Sequence, residues 1–170
     1  MYPFPDVKQP VKDDSGEEIT GLFQITSIKV NKDSGASVDI GCGGEFGGGE
    51  SEPLDDTAEL VNNVVDETIG FGLVEVPMSK KDLKDYLGTF CKKVRTKLKE
   101  DDKVTGPEVK AFTQAAPGFC KFLLSKYDEL VCYCSSSMDP DGSMAFGYYE
   151  GASPNPNFIY INAGLLEEKC

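Results

Sequence analysis

Two amphipathic stripes in the middle of the chain constrain its fold more than any other feature. From Leu83, apolar residues recur at Leu87, Phe90, Val94 and Leu98, at spacings of four, three, four and four, the period of a helix that buries one face. Ser79 precedes the run with a side chain suited to capping, which sets the predicted helix start at Lys80. A second stripe, Val109, Phe112, Ala116, Phe119 and Leu123, follows Thr105-Gly106-Pro107-Glu108. That tetrapeptide is a capping box with proline in the first turn. The two helices are expected to pair as an antiparallel hairpin over residues 80–127. Pro117-Gly118 removes one backbone hydrogen bond from the second helix and is expected to bend it.

Strand-like runs lie on both sides of the hairpin, at 22–30, 58–65 and 72–76 before it and at 130–134, 144–149 and 158–161 after it. Pro3, Pro5 and Pro10 make the first segment an edge at best. Asp139-Pro140-Asp141-Gly142 and Pro154-Asn155-Pro156-Asn157 supply turns between the later runs. The order of strands, helix pair, strands predicts an α+β fold, a helical hairpin inserted into antiparallel sheets. A chain of 170 residues buries enough surface to form one domain, read here as 1–170, without metal or disulfide. Residues 41–49 hold six glycines, and from Gly41 to Thr68 there are eight acids and no base. Such a composition orders at high entropic cost, so a mobile acidic loop is expected at 41–58. The glycines do not form a phosphate-binding loop, because the lysine of that motif is missing.

Charge and residue usage narrow the function. With 17 Lys+Arg against 29 Asp+Glu, the net charge is −12, which argues against nucleic acid as a partner. Histidine is absent, and with it the commonest general base and zinc ligand, so the expectation is a protein that is not an enzyme. No cofactor is required. The amino terminus lacks a basic and an apolar leader region, and no apolar run reaches membrane-spanning length, so a cytoplasmic protein with no membrane partner is expected. The six cysteines include no Cys-x-x-Cys pair and are read as reduced thiols. Cys132 and Cys134 flank Tyr133 and are expected to point to opposite faces of their strand. Cys170, the final residue, is expected to be exposed: a monomer when reduced, a Cys170-linked dimer when oxidised.

Eight of the 17 basic residues fall between Lys80 and Lys99. Measured at 100° per residue from Leu83, Lys81, Lys84, Lys92, Arg95 and Lys99 lie at roughly 100–180°, opposite the apolar stripe. This face is the candidate docking surface for an acidic protein partner. Glu50, Glu52, Asp55 and Asp56 in the loop, and Asp139 and Asp141 in the turn, offer hard oxygen ligands. Neither group has the full twelve-residue EF-hand order, so the expectation is weak calcium binding.

Several segments together resemble the translationally controlled tumour protein family, also called the histamine-releasing factors. They are Ser137-Met138-Asp139-Pro140-Asp141-Gly142, Phe158-Ile159-Tyr160-Ile161 and the ending Gly164-Leu165-Leu166-Glu167-Glu168-Lys169-Cys170. Upstream, Val38-Asp39-Ile40-Gly41, Val61-Asn62-Asn63-Val64-Val65-Asp66 and Ser79-Lys80-Lys81 leading to Tyr86-Leu87 are similar in order and spacing, so the resemblance covers about residues 38–170. It implies a tent of small antiparallel sheets with a projecting helical hairpin and a long acidic loop. It also implies a cytoplasmic regulator of protein synthesis, growth and survival, with no established catalytic site. The partners it implies are translation elongation factors, Ras-superfamily GTPases, tubulin, apoptosis regulators and calcium. Three places depart from the family pattern: Lys12 stands where members carry an acidic residue implicated in GTPase contact, Ser135-Ser136 replaces a Gly-Glu pair, and Phe46-Gly47-Gly48-Gly49-Glu50-Ser51-Glu52 replaces the usual loop motif.

Overall fold

The structure, a computed structural model, describes residues 8–32, 60–139 and 141–165. The acidic segment 41–58, with Glu50, Glu52, Asp55 and Asp56, lies outside the described residues, as does Cys170. The described elements are β1 (Gln9–Lys12), β2 (Glu18–Thr26), β3 (Lys29–Asn31), β4 (Leu60–Asn62), β5 (Leu73–Glu75), α1 (Lys80–Glu100), α2 (Gly106–Ser125), β6 (Val131–Ser135), β7 (Ala145–Tyr148) and β8 (Asn157–Ile161). Six strands make one antiparallel sheet in the order β1-β2-β8-β7-β6-β5, and β3 pairs with β4 in a separate ribbon. Pro10 lies in β1 at the sheet edge, where a missing amide costs least. The hairpin α1–α2 is inserted between β5 and β6, themselves antiparallel neighbours with Val74 opposite Cys134.

Alternation along the strands divides the apolar residues between two faces of the sheet. Toward the helices, Leu22, Cys132, Cys134, Phe146, Ile159 and Ile161 pack with Leu83, Leu87, Phe90, Val94, Phe112, Phe119 and Leu123. On the reverse face, Phe23, Ile25, Ala145, Phe158 and Tyr160 pack with Val64, against the segment that follows β4. β8 is buried along its whole length, which explains its unbroken apolar reading: it is covered on both sides. Cys132 and Cys134 are both on the helix side, while Tyr133 joins the reverse-face cluster. The expectation of opposite faces is therefore corrected, since residues two apart on a strand share a face.

Asn62 and Asn63 join the β3–β4 ribbon to the main sheet. The Asn62 amide donates to Ser27 Oγ at 2.8 Å, and that hydroxyl donates to the Pro156 carbonyl at 2.7 Å. Ile28 N donates to Asn63 Oδ1 at 2.9 Å. Ser27 is wholly buried, so these bonds satisfy a polar group that would otherwise destabilise the fold. Close approach of α2 to β2 depends on Gly21, which has φ +93° and would carry a Cβ 3.0 Å from the Phe119 ring. α2 continues as one helix through Pro117, and both Pro117 and Gly118 are exposed.

Candidate protein interaction site

The orientation of the basic face follows from how α1 starts and what it buries. Ser79 and Asp82 form the predicted capping box: Asp82 N donates to Ser79 Oγ at 3.2 Å and Ser79 N donates to Asp82 Oδ2 at 3.1 Å. Hydrogen bonds from the Ser79 hydroxyl and amide hold the Asp82 carboxyl below its ordinary value. Burial of Leu83, Leu87, Phe90 and Val94 then fixes the rotation of the helix. As a result Lys81, Lys84, Lys92, Arg95 and Lys99 are all exposed on the outward side. Gly88 sits in the same stripe, at roughly 140° from Leu83. Open space surrounds it, so the cations flank a stretch of bare backbone.

Other cations of α1 have local duties. Lys93 pairs with Asp141 in the turn between β6 and β7, and Lys80 lies over the Tyr127 ring at 5.9 Å. Lys97, like Lys99 of the outward face, stands in the last turn of α1, where positive charge complements the helix dipole.

Asp139 and Asp141 are brought together by their turn. Asp139 Oδ1 accepts from Asp141 N at 2.9 Å, and the Asp139 carbonyl accepts from Gly142 N at 3.0 Å. Both carboxylates are thus engaged, one in closing the turn and one with Lys93. Among the described residues, no group of three or more His, Cys, Asp or Glu side chains is arranged to hold a metal ion.

Three features escaped the sequence reading. The first is a cleft of about 650 Å3 between β1 and the end of α2, lined by Val11, Lys12, Phe122, Lys126, Tyr148 and Glu150 among others. Lys126 donates to Asp14 at 2.8 Å across one end. Lys12 lines this cleft. The second is Tyr86, whose hydroxyl donates to the Gly142 carbonyl at 2.9 Å and accepts from Met144 N at 3.0 Å. It fastens α1 to the β6–β7 connection beside the Lys93–Asp141 pair. The third is a pair of thiols on facing helices, with Cys91 Sγ 3.6 Å from Cys120 Sγ. An antiparallel register for the hairpin was the available signal, since it sets residues near 91 opposite residues near 120. Burial pushes the Cys132 thiol up to about 11, which disfavours the thiolate that redox chemistry at β6 would need.

Among the described residues no helix is long and apolar enough to cross a membrane. The family profile described as translationally controlled tumour protein matches residues 12–166. A translationally controlled tumor protein homolog of Theileria annulata is 30% identical over 149 residues, spanning 86% of this chain and 80% of the relative. The solved structure of translationally controlled tumor-associated protein p23fyp from Schizosaccharomyces pombe superimposes with a TM-score of 0.64 at 25% identity, covering 96% of this chain and 99% of that one.

Proposed function

The chain belongs to the translationally controlled tumour protein family, and from that premise we propose that it is a non-enzymatic cytoplasmic regulator that works by docking proteins on the outer face of α1. The observation that carries this reading is the set of five exposed cations, Lys81, Lys84, Lys92, Arg95 and Lys99, on one helix face of a chain whose net charge is −12. Lys81 and Lys99 lie about 27 Å apart along the axis at the usual helical rise. That span exceeds three Debye lengths of about 8 Å, so the cations act as local contacts along an extended acidic surface rather than as one distant charge. Acidic surfaces of translation elongation factors and Ras-superfamily GTPases are the first candidates. The acidic tail of tubulin is the second reading, because an extended anionic peptide matches a narrow stripe.

Weak calcium binding by Glu50, Glu52, Asp55 and Asp56, or by Asp139 and Asp141, is an accessory property in this reading. So is a Cys170-linked dimer under oxidation. Binding of the reduced chain to purified elongation factor, a nucleotide-free small GTPase and tubulin tests the proposal. Salt-sensitive binding to the first two supports it, and binding to tubulin alone selects the second reading. Retention of full affinity after Lys92→Glu and Arg95→Glu together would remove the α1 face from the account.

A further inference from the structure

We propose that Cys91 and Cys120 are a redox-modification site: a hydroperoxide or a low-molecular-weight disulfide converts them to an intramolecular disulfide that ties α1 to α2. Their sulfurs are 3.6 Å apart, and both side chains are half-buried at the margin of the helical core. They are therefore in contact with each other while partly open to solvent. Cys132 and Cys134, by contrast, are buried beneath the helices. A disulfide bond of about 2.05 Å requires the sulfurs to close by roughly 1.5 Å.

The local helix chemistry allows that movement. Each cysteine lies three residues after a weak point in its own helix, Cys91 after the exposed Gly88 and Cys120 after the exposed Pro117. Glycine weakens a helix turn, and proline deletes one of its backbone bonds. A Cβ added at Gly88 or Gly118 would meet nothing within 4 Å, so neither turn is held from outside by packing at those positions. The backbone bond that Pro117 leaves out of α2 lets the segment bearing Cys120 adjust toward α1.

The thiols also influence each other's ionisation. The two sulfurs share one contact in which either can be the donor, and that contact lowers the Cys120 thiol below its ordinary value and raises that of Cys91. Either thiol can open the reaction, and the contact favours Cys120 as the attacking sulfur. Its thiolate attacks a peroxide oxygen, the O–O bond breaks, and a sulfenic acid forms while the peroxide leaves as an alcohol or water. The sulfur of Cys91 then attacks the Cys120 sulfur. The S–S bond forms, the S–O bond breaks, and hydroxide leaves with the Cys91 proton as water. In sum two thiols lose two electrons and two protons, and one hydroperoxide is reduced. With a small disulfide as oxidant, the same exchange passes through a mixed disulfide and releases two small thiols.

The test uses the full chain with Cys170→Ser, treated with hydrogen peroxide or oxidised glutathione and digested with trypsin without reduction. The proposal predicts that peptide 85–92, which holds Cys91, is recovered joined to peptide 111–121, which holds Cys120. The link should vanish on treatment with dithiothreitol, and hydrogen exchange in α1 and α2 should slow in the linked form. Cys91→Ser should leave Cys120 as a stable sulfenic acid or mixed disulfide, trapped by a sulfenic-acid probe or seen as a glutathione adduct. Separate modification of both thiols in the parent chain with no joined peptide would overturn the proposal. So would a joined pair made with any other cysteine in preference.

Discussion

Replacing Tyr86 with Phe removes one oxygen atom and should cost more stability than a surface change. The hydroxyl makes two hydrogen bonds to backbone, one to the Gly142 carbonyl and one from Met144 N. Phenylalanine keeps the ring, and with it the stacking on Phe90 at a centroid distance of 5.4 Å, so packing is largely conserved. What changes is that two backbone groups lose their partner. An unsatisfied buried group costs about 1–3 kcal/mol. Met144 is buried and its amide belongs near the upper end, whereas Gly142 is half-exposed and its carbonyl belongs at the lower end because water reaches it. The expected loss is about 2–3 kcal/mol. At roughly 2–4 °C per kcal/mol for a chain of this size, the melting temperature should fall by about 5–10 °C. Urea denaturation should show a lower midpoint with an unchanged slope. Tyr127→Phe is the internal comparison, because its hydroxyl makes a single bond, to the Met78 carbonyl at 2.8 Å, and should cost about half as much. A loss under about 0.5 kcal/mol for Tyr86→Phe, within the range of ordinary surface substitutions, would refute the claim that this hydroxyl fastens the helix to the turn.

Gly21→Ala should destabilise by about 2–4 kcal/mol, since its positive φ strains any L side chain and the new methyl would press on the fully buried Phe119; a melt within a degree of the parent would contradict the observed approach of α2 to β2. Burial pushes the Tyr86 and Tyr160 hydroxyls above the ordinary phenol value. Their stabilisation is complete below about pH 10 and is lost as the pH rises beyond it, because the unfolded chain ionises first. Tyrosine absorbance during alkaline titration should therefore show part of the phenols ionising only with unfolding, and a single reversible titration near 10 would count against it. At the acid end, hydrogen bonding holds the Asp13, Asp66, Asp82 and Glu108 carboxyls below their ordinary values. Stability should be at its plateau above about pH 4.5 and decline below it as these groups protonate, and a flat denaturation midpoint between pH 5 and pH 3 would oppose that reading.

The helical hairpin was legible in the sequence because its signals are local. Ser79 with Asp82 and Thr105 with Glu108 form the expected boxes; Leu83, Leu87, Phe90, Val94, Phe112, Phe119 and Leu123 of the two stripes are buried, with Leu98, Val109 and Ala116 half-buried, so the outward direction of Lys81, Lys84, Lys92, Arg95 and Lys99 followed. Strand partners were not legible. Nothing local in Phe158-Ile159-Tyr160-Ile161 says that β8 lies between β2 and β7, although its unbroken apolar run records burial on both sides. Contacts between distant positions were likewise hidden: Cys91 with Cys120, and Tyr86 with Gly142 and Met144. Each depends on how elements dock, which periodicity does not encode. The error over Cys132 and Cys134 had a different source. Residues two apart share a face on a strand, and counting in twos places both thiols beneath the helices.

If the outer face of α1 steers an acidic protein partner, reversing its charge should slow association. The measurement compares the parent chain with the Lys92→Glu, Arg95→Glu variant against purified elongation factor, at low and at physiological salt. Both reversals are on exposed positions, so the variant's thermal melt should match the parent within about 0.5 kcal/mol. The variant should associate about ten-fold more slowly at low salt, with a flatter salt dependence and a smaller change in dissociation. Equal association rates at both salt levels, for a variant that melts like the parent, would contradict it and leave the stripe as a solvated face.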